Sequence, residues 1–267
     1  MKIGDFFSLE NYPTLSNSEA FFNKIVSEES AAVRLFNQLV PLLIFLFLYG
    51  LVMGAYQGLL QSVISAFKLP ILFILALLIC FPAFFIIQFI LGSRLKIKQV
   101  VSIVLSGFVL MSFIMLAFTP IVVIFLLTGS NYYFLHLLHV AIFVFAGIFG
   151  MNTIVQALKY SCEIKNVYPK TGVVVFRFWV VILAFVGIQL AWNFRPFLGV
   201  RGEPVQLFGQ REGNFYTAMI DSIRKLVHSD RAMEEKNSQG LEEQIPQTQP
   251  LDTTKIRQLF GDSPNGK

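Results

Sequence analysis

Long apolar runs, separated by short polar stretches, occupy the middle of the chain. A helix needs about 20 mostly apolar residues to cross the hydrocarbon core of a bilayer. Five runs meet this length and predict five transmembrane helices. Their limits are Leu39 to Phe67, Leu69 to Gly92, Val100 to Leu127, Tyr132 to Leu158 and Val173 to Asn193. Because short connections make consecutive helices antiparallel, we expect an all-α, polytopic transmembrane helix bundle.

The residues between and within these runs predict where the helices end or bend. Lys68 and Pro70 mark the expected first turn. Pro120 lies inside the third run and Pro82 inside the second, where the missing backbone N–H gives each helix a reason to bend. With a turn at Lys68, no run carries Asp, Glu or Lys in its middle, which argues against ion-coupled transport.

Polar segments flank the runs and divide the chain into four parts. Residues 1–37 form a cytoplasmic N-terminal segment, in which Ser16 and Glu19 have the spacing of a capping box that opens an amphipathic helix. Residues 38–194 form the membrane domain. Residues 195–228 form an interfacial segment, whose amphipathic helix begins near Asn214 and is expected to lie on the membrane surface. Residues 229–267, rich in Gln, Glu, Pro and Thr, are expected to be a flexible tail.

Composition agrees with membrane insertion. Apolar residues make up 55% of the chain and charged residues 14%, whereas soluble domains have about 25% charged residues. The net charge of +5 does not predict a nucleic-acid partner, because the positive residues stand beside apolar runs, where membrane topology requires them. Cys80 and Cys162 are expected at different depths, as free thiols.

The distribution of positive charge predicts the orientation. Three segments that should share one side of the membrane carry most of it, and cytoplasmic loops are enriched in Lys and Arg. The N-terminus is therefore expected in the cytoplasm and the C-terminal tail on the opposite side, in a bacterial inner membrane or an internal membrane. The residues are Arg34, Arg94, Lys96, Lys98, Lys159, Lys165 and Lys170.

Small residues at a spacing of four predict close helix packing. Gly50, Gly54 and Gly58 would form one bare stripe on the first helix, and Ala146 and Gly150 repeat the pattern in the fourth. Packing within the bundle is one interpretation. A homo-oligomer interface, or a site for a flat ligand, is the other.

Two histidines are the candidates for holding a ligand or cofactor. His136 and His139 share a helix face, so their neutral imidazoles could hold a haem, a chlorophyll or a metal ion. They also stand beside Tyr132 and Tyr133, as interfacial polar residues do, and no Cys, Asp or Glu is close in sequence. We therefore expect no cofactor and no metal.

Three further residues are expected to anchor the chain at the membrane interface. Arg177 lies near the start of the fifth run, and its guanidinium can reach the surface. Trp192 and Arg195 lie at the other end of that run. Aromatic and basic residues are typical of these positions.

Several short motifs resemble those of the Yip family. They are Lys68-Leu-Pro-Ile-Leu-Phe, Cys80-Phe-Pro-Ala-Phe-Phe and Leu91-Gly-Ser. With five spans and a polar N-terminal segment, residues 37–194 are similar to this family and its bacterial relatives. The resemblance implies a five-span protein, and the eukaryotic members work with Rab GTPases in early secretory traffic. Residues 189–199 and 212–216 look more like bacterial five-span proteins of unassigned function.

The sequence leaves three functions open and predicts no catalytic residue. The first is a non-enzymatic membrane subunit or scaffold, which assembles with itself or with other membrane proteins. The second is a passive channel or small-molecule carrier, for which the Gln and Asn residues within the spans would have to supply the lining. The third is a cofactor-bearing subunit of an electron-transfer or light-harvesting complex.

Overall fold

The computed structural model describes residues 31–92, 95–129, 131–163, 170–202, 204–209, 217–225 and 227. The chain divides into two compact units, Met1–Ile223 and Arg224–Lys267, and of the second only residues 224, 225 and 227 are described. The first unit contains α1 (Ala31–Gly54), α2 (Leu59–Ile90), α3 (Ile97–Ala117), α4 (Thr119–Leu127), α5 (Tyr132–Glu163) and α6 (Lys170–Phe194). Residues 217–225 are also helical. The predicted helix at Ser16 and the tail 229–267 lie outside the described residues.

Five helical segments within the described residues are long and apolar enough to cross a membrane. α3 and α4 together make one of them, and α1, α2, α5 and α6 make the others. The prediction of an all-α, five-span fold is confirmed, and by length and composition the chain is an integral membrane protein that contacts the lipid bilayer. The segments are Val33–Gly54, Leu59–Ile90, Ile97–Leu127, Tyr132–Tyr160 and Thr171–Phe194.

The third span is interrupted where the sequence predicts it. α3 ends at Ala117, α4 begins at Thr119, and Pro120 lies in the first turn of α4. Proline is tolerated there, because the first N–H groups of a helix have no partner within it.

The first turn is not where the sequence predicts it. α1 ends at Gly54, and α2 begins at Leu59 and continues through Lys68 and Pro70. Gly58 precedes α2 with φ 156° and ψ 178°, a backbone conformation open essentially to glycine alone. The turn expected at Lys68 is therefore wrong, and Lys68 is a buried residue of a membrane helix, with 6% of its surface exposed.

The fourth connection is shorter than predicted. Tyr160 and Cys162 belong to α5, which ends at Glu163, and α6 begins at Lys170. Cys162, which lies between the fourth and fifth predicted runs, is therefore a helix residue. Cys80 is a buried free thiol in α2.

The contacts between the spanning helices form a closed ring. α1 packs against α2 and α3, α3 packs against α5, and α6 packs against both α2 and α5. Aromatic rings from four helices meet between them: Phe73 and Phe108 at 5.6 Å, Phe73 and Phe143 at 6.4 Å, and Tyr49 and Phe143 at 6.1 Å between ring centroids. Such pairs stabilise by about 0.5–1.5 kcal/mol each beyond the area that they bury.

Glycines bring two helix pairs into backbone contact. A Cβ atom on Gly50 would lie 2.6 Å from the Ser65 carbonyl oxygen, and one on Gly54 would lie 2.5 Å from that of Gln61. On α5, a Cβ on Gly150 would lie 2.6 Å from the Gly107 carbonyl oxygen of α3. These small residues therefore pack helices of the same chain.

The two other members of the predicted small-residue pattern lie in different surroundings. Ala146 is fully buried in the core beside the α5 glycines. Gly58 lies in the turn before α2, with open space around a Cβ. The prediction of a three-glycine stripe on one helix is therefore wrong at Gly58, because α1 has already ended.

Candidate functional site

Three polar side chains share one face of α2. Gln61, Ser65 and Lys68 follow one another at intervals of four and three residues, and all three are buried. On an α-helix this spacing places the side chains one above the other. Burying amide, hydroxyl and ammonium groups costs free energy unless each is hydrogen-bonded, so their partners show what this face holds.

Their partners are backbone carbonyls of the chain that follows α6. Residues 195–209, here called the interfacial loop, leave α6 through a cis Arg195–Pro196 peptide bond. The Pro196 carbonyl oxygen accepts hydrogen bonds from Lys68 Nζ at 3.1 Å and from Gln61 Nε2 at 2.9 Å. The Phe197 carbonyl oxygen accepts from Ser65 Oγ and Gln61 Nε2. Carbonyl groups just beyond a helix C-terminus have no N–H donor within that helix. Here the side chains of α2 supply the donors.

The Lys68 ammonium is surrounded by neutral groups. Besides the Pro196 carbonyl, it faces the rings of Phe197 and Phe208, with centroids 5.9 and 5.6 Å from Nζ. Aromatic faces attract cations within about 6 Å. No carboxylate within the described ranges forms an ion pair with Lys68.

The interfacial loop is closed and fastened at two further points. The Gly209 N–H donates to the Arg195 carbonyl oxygen at 2.8 Å, which closes the loop at its base. Arg201 donates from Nε to the Tyr56 carbonyl oxygen at 2.9 Å, and its guanidinium lies 4.4 Å from the centre of the Tyr56 ring. The loop is thus tied to the turn between α1 and α2.

One glycine allows the loop to approach that turn. Gly199 has φ 68°, in the left-handed region that favours glycine, and a Cβ at this position would collide with the side chain of Gln57. The neighbouring Leu198 is buried. The inner side of the loop is therefore packed, whereas Leu207 and Phe208 remain exposed.

Two of the three predicted interfacial anchors belong to this site. The Arg195 guanidinium lies over the Trp192 ring, 3.5 Å from its centre, at the base of the loop. Arg177 is exposed near the other end of α6, about 22 Å along the helix from Trp192 at 1.5 Å per residue. The structure therefore separates Arg177 from the other two.

The two predicted ligand histidines are not brought to this site. His139 Nδ1 and Tyr49 Oη are hydrogen-bonded at 2.7 Å, and both residues are buried. His139 Nε2 is buried without a hydrogen-bond partner among the described residues, and the His136 ring lies 6.2 Å from that of Tyr132. Within the described ranges, no three His, Cys, Asp or Glu residues are grouped to hold a metal ion.

Sequence reasoning placed Lys68 in a turn and so missed the site. The sequence feature that indicates this site is the spacing of the polar residues 61, 65 and 68 in an apolar stretch. If the stretch is one continuous helix, the three residues lie on one face. The chain matches no protein-family model, no curated protein and no solved structure. The resemblance to the Yip family therefore stays a prediction.

Proposed function

We propose that the protein is a non-enzymatic membrane scaffold or subunit, which assembles with other membrane proteins or with itself through the interfacial loop. One observation carries this proposal. The inner side of the loop is fixed to α2 by Gln61, Ser65 and Lys68, while Leu207 on its outer side is 61% exposed. A loop of this kind offers apolar side chains in a fixed arrangement.

Holding the loop requires the burial of the Lys68 ammonium, which costs free energy. This cost favours a functional role for the position of the loop. Removing an ammonium group from water costs several kcal/mol, and the neutral groups around Lys68 only partly offset this. A segment already held in one conformation loses less entropy when it binds a partner. Adjacent exposed apolar side chains on such a segment mark a surface for contact with a protein or the membrane.

The helical residues 217–225 provide a second apolar surface. Ile220 and Ile223 are three residues apart and both exposed, so they lie on the same side of that helix. This side is available to the bilayer or to a protein partner, which agrees with a role in assembly.

The passive channel or carrier has less support. Aromatic rings lie between the helices, where a channel would need a polar lining. They belong to Tyr49, Phe73, Phe108 and Phe143. The cofactor-bearing subunit depends on His136 and His139. His139 is 2% exposed, and its Nδ1 is hydrogen-bonded to Tyr49 within the packed bundle. Ion flux in liposomes and a visible absorption spectrum test these two alternatives.

The proposed orientation keeps the N-terminus in the cytoplasm and places the interfacial loop on the opposite side. Lys96, Lys98 and Lys159 then lie near the cytoplasmic helix ends, as the enrichment of positive charge there requires. The proposed partner surface is consequently the non-cytoplasmic one.

Gentle extraction from the native membrane, followed by identification of the proteins that travel with the chain, tests the proposal. We expect a partner, or a second copy, to be recovered in stoichiometric amount. Leu207→Ser should abolish this recovery, whereas the control Phe178→Ser, at a 70% exposed position on α6, should retain it. Recovery of the wild-type chain as a monomer alone would contradict the scaffold role.

A further inference from the structure

The Lys68 ammonium has more hydrogen-bonding capacity than its surroundings use. An ammonium group carries three donors, and one of them is directed to the Pro196 carbonyl oxygen at 3.1 Å. The rings of Phe197 and Phe208, at 5.9 and 5.6 Å, lie near the outer limit of about 6 Å for an attractive contact. A buried cation normally has an anion beside it, and within the described ranges none faces Lys68.

A buried acceptor without a donor lies beside this cation. Gln61 is fully buried, and its Oε1 has no hydrogen-bond partner among the described residues. Its Nε2 donates to the same Pro196 oxygen as Lys68 Nζ, so the two side chains meet at one atom. Spare N–H groups of a cation and an unused carbonyl oxygen thus lie close together.

Positive residues outnumber acidic ones around the same place. Arg195 and Arg201 belong to the loop that covers Lys68, and Glu203 is the one acidic residue in the sequence of this loop. Both guanidinium groups lie over aromatic rings, an arrangement typical of the headgroup level of a membrane. The three cations together attract an anion to this end of the bundle.

The flank of α2 beside Lys68 is lipid-facing. Phe67, one residue before Lys68, and Ile71, three residues after it, are both exposed, whereas Lys68 is 6% exposed. The buried lysine therefore lies one helix position from a lipid-facing flank.

We propose that Lys68 and Gln61 form a binding site for a phosphate group that carries or adjoins a hydroxyl. The phosphate oxygens accept hydrogen bonds from the Lys68 ammonium, and the hydroxyl donates to Gln61 Oε1. Two sources have this chemistry: the headgroup of a glycerol-bearing anionic phospholipid, and free inorganic phosphate.

The experiment uses the full chain in nanodiscs of phosphatidylcholine. The thermal midpoint is measured as phosphatidylglycerol replaces part of this lipid and, separately, as inorganic phosphate is added to the buffer. A ligand that binds only the folded protein raises the midpoint as its concentration rises. A rise with phosphatidylglycerol alone identifies a lipid headgroup, and an equal rise with phosphate identifies the soluble anion.

Matched variants separate the charge from the anchoring of the loop. Lys68→Gln should abolish the rise, and Lys68→Arg should keep it. Ser65→Ala removes a hydrogen bond to the loop but no charge, and Arg177→Gln removes a charge elsewhere, so both should keep the rise. An equal rise in wild type and Lys68→Gln would overturn the proposal, as would no rise with either anion.

Native mass spectrometry of the wild-type chain gives a result that does not depend on the variants folding. We expect phosphatidylglycerol to remain bound at least tenfold more than phosphatidylcholine. Both phosphates can accept from Lys68, but only phosphatidylglycerol has a net negative charge and a headgroup hydroxyl that can donate to Gln61 Oε1. Equal retention of the two lipids, together with no response to phosphate, would contradict the proposal.

Discussion

The Lys68 ammonium nitrogen lies 3.1 Å from the Pro196 carbonyl oxygen, although 128 residues separate the two in the chain. This hydrogen bond links the third turn of α2 to the segment that follows the last membrane helix. Gln61 and Ser65 strengthen the same link through the Pro196 and Phe197 carbonyl groups. The interfacial loop is therefore held by the membrane domain and not only by its own closure.

Lys68→Met should loosen the loop while leaving the bundle folded. The variant keeps an apolar stem but removes a charged donor, and such a hydrogen bond contributes about 1.5–3 kcal/mol. Exchange of the Gly209 amide, which closes the loop by donating to the Arg195 carbonyl oxygen, should accelerate by about 10- to 100-fold, since each 1.4 kcal/mol is about a factor of ten. Arg177→Met serves as the control and should leave this exchange unchanged. Equal protection in Lys68→Met and wild type would show that the ammonium does not hold the loop.

Gly54→Ala should destabilise the contact between α1 and α2. The added Cβ would lie 2.5 Å from the Gln61 carbonyl oxygen, and backbone atoms can yield only by separating the helices. Overpacking of this kind costs about 1–3 kcal/mol, which thermal unfolding in detergent would report as a lower midpoint. Gly187→Ala is the control, because no atom lies within 4 Å of the added Cβ and alanine favours a helix. A Gly54→Ala midpoint no lower than that of Gly187→Ala would contradict the close approach.

Tyr49→Phe should lower the thermal unfolding midpoint more than Tyr56→Phe does. Removing the hydroxyl leaves His139 Nδ1 buried without the partner that it has at 2.7 Å, which costs about 1–3 kcal/mol. Tyr56→Phe is the control, because the ring and the carbonyl oxygen that contact Arg201 both remain. Equal unfolding midpoints for the two variants would indicate that the Tyr49–His139 hydrogen bond contributes nothing measurable.

The helix count and the break near Pro120 could be predicted because both depend on local features. Length and apolar content define a spanning helix, and a proline lacks the N–H that a helix interior uses. This local effect coincides with a break at Pro120, whereas Pro70 and Pro82 lie inside the continuous α2. The close packing at Gly50 and Gly54 follows in the same way from the absence of a side chain.

The polar spacing of residues 61, 65 and 68 marks the α2 face of the candidate site, but the partners of that face could not be predicted, because they are distant in sequence. Lys68 between two apolar runs looks like a residue of a turn, and Pro70 strengthens that impression. In the structure Lys68 lies within α2, and the Pro196 carbonyl, 128 residues away, accepts its hydrogen bond and so offsets part of the cost of burying it. The actual turn, which ends at Gly58, contains too few polar residues to stand out in the apolar run. Because the turn was predicted at Lys68 instead, the predicted glycine stripe was extended to Gly58.

The proposed orientation is tested by labelling single cysteines with a membrane-impermeant maleimide. Cys80 and Cys162 are first replaced by Ser, and either Lys98→Cys or Gln206→Cys is then introduced; both positions are exposed. In intact cells Gln206→Cys should react at once, and Lys98→Cys only after permeabilisation. The opposite pattern would invert the orientation, and reaction of both in intact cells would contradict their placement on two sides.

Photo-crosslinking from the interfacial loop tests the central claim most directly. A photoreactive amino acid replaces Leu207 in one variant and Phe178 in another, two exposed apolar positions of which only the first belongs to the loop. After irradiation in the native membrane, the scaffold role predicts a discrete crosslinked protein, a partner or a second copy, from position 207, and crosslinks to lipid alone from position 178. Crosslinks to lipid alone from both positions would contradict the claim that the loop is the surface through which this protein assembles.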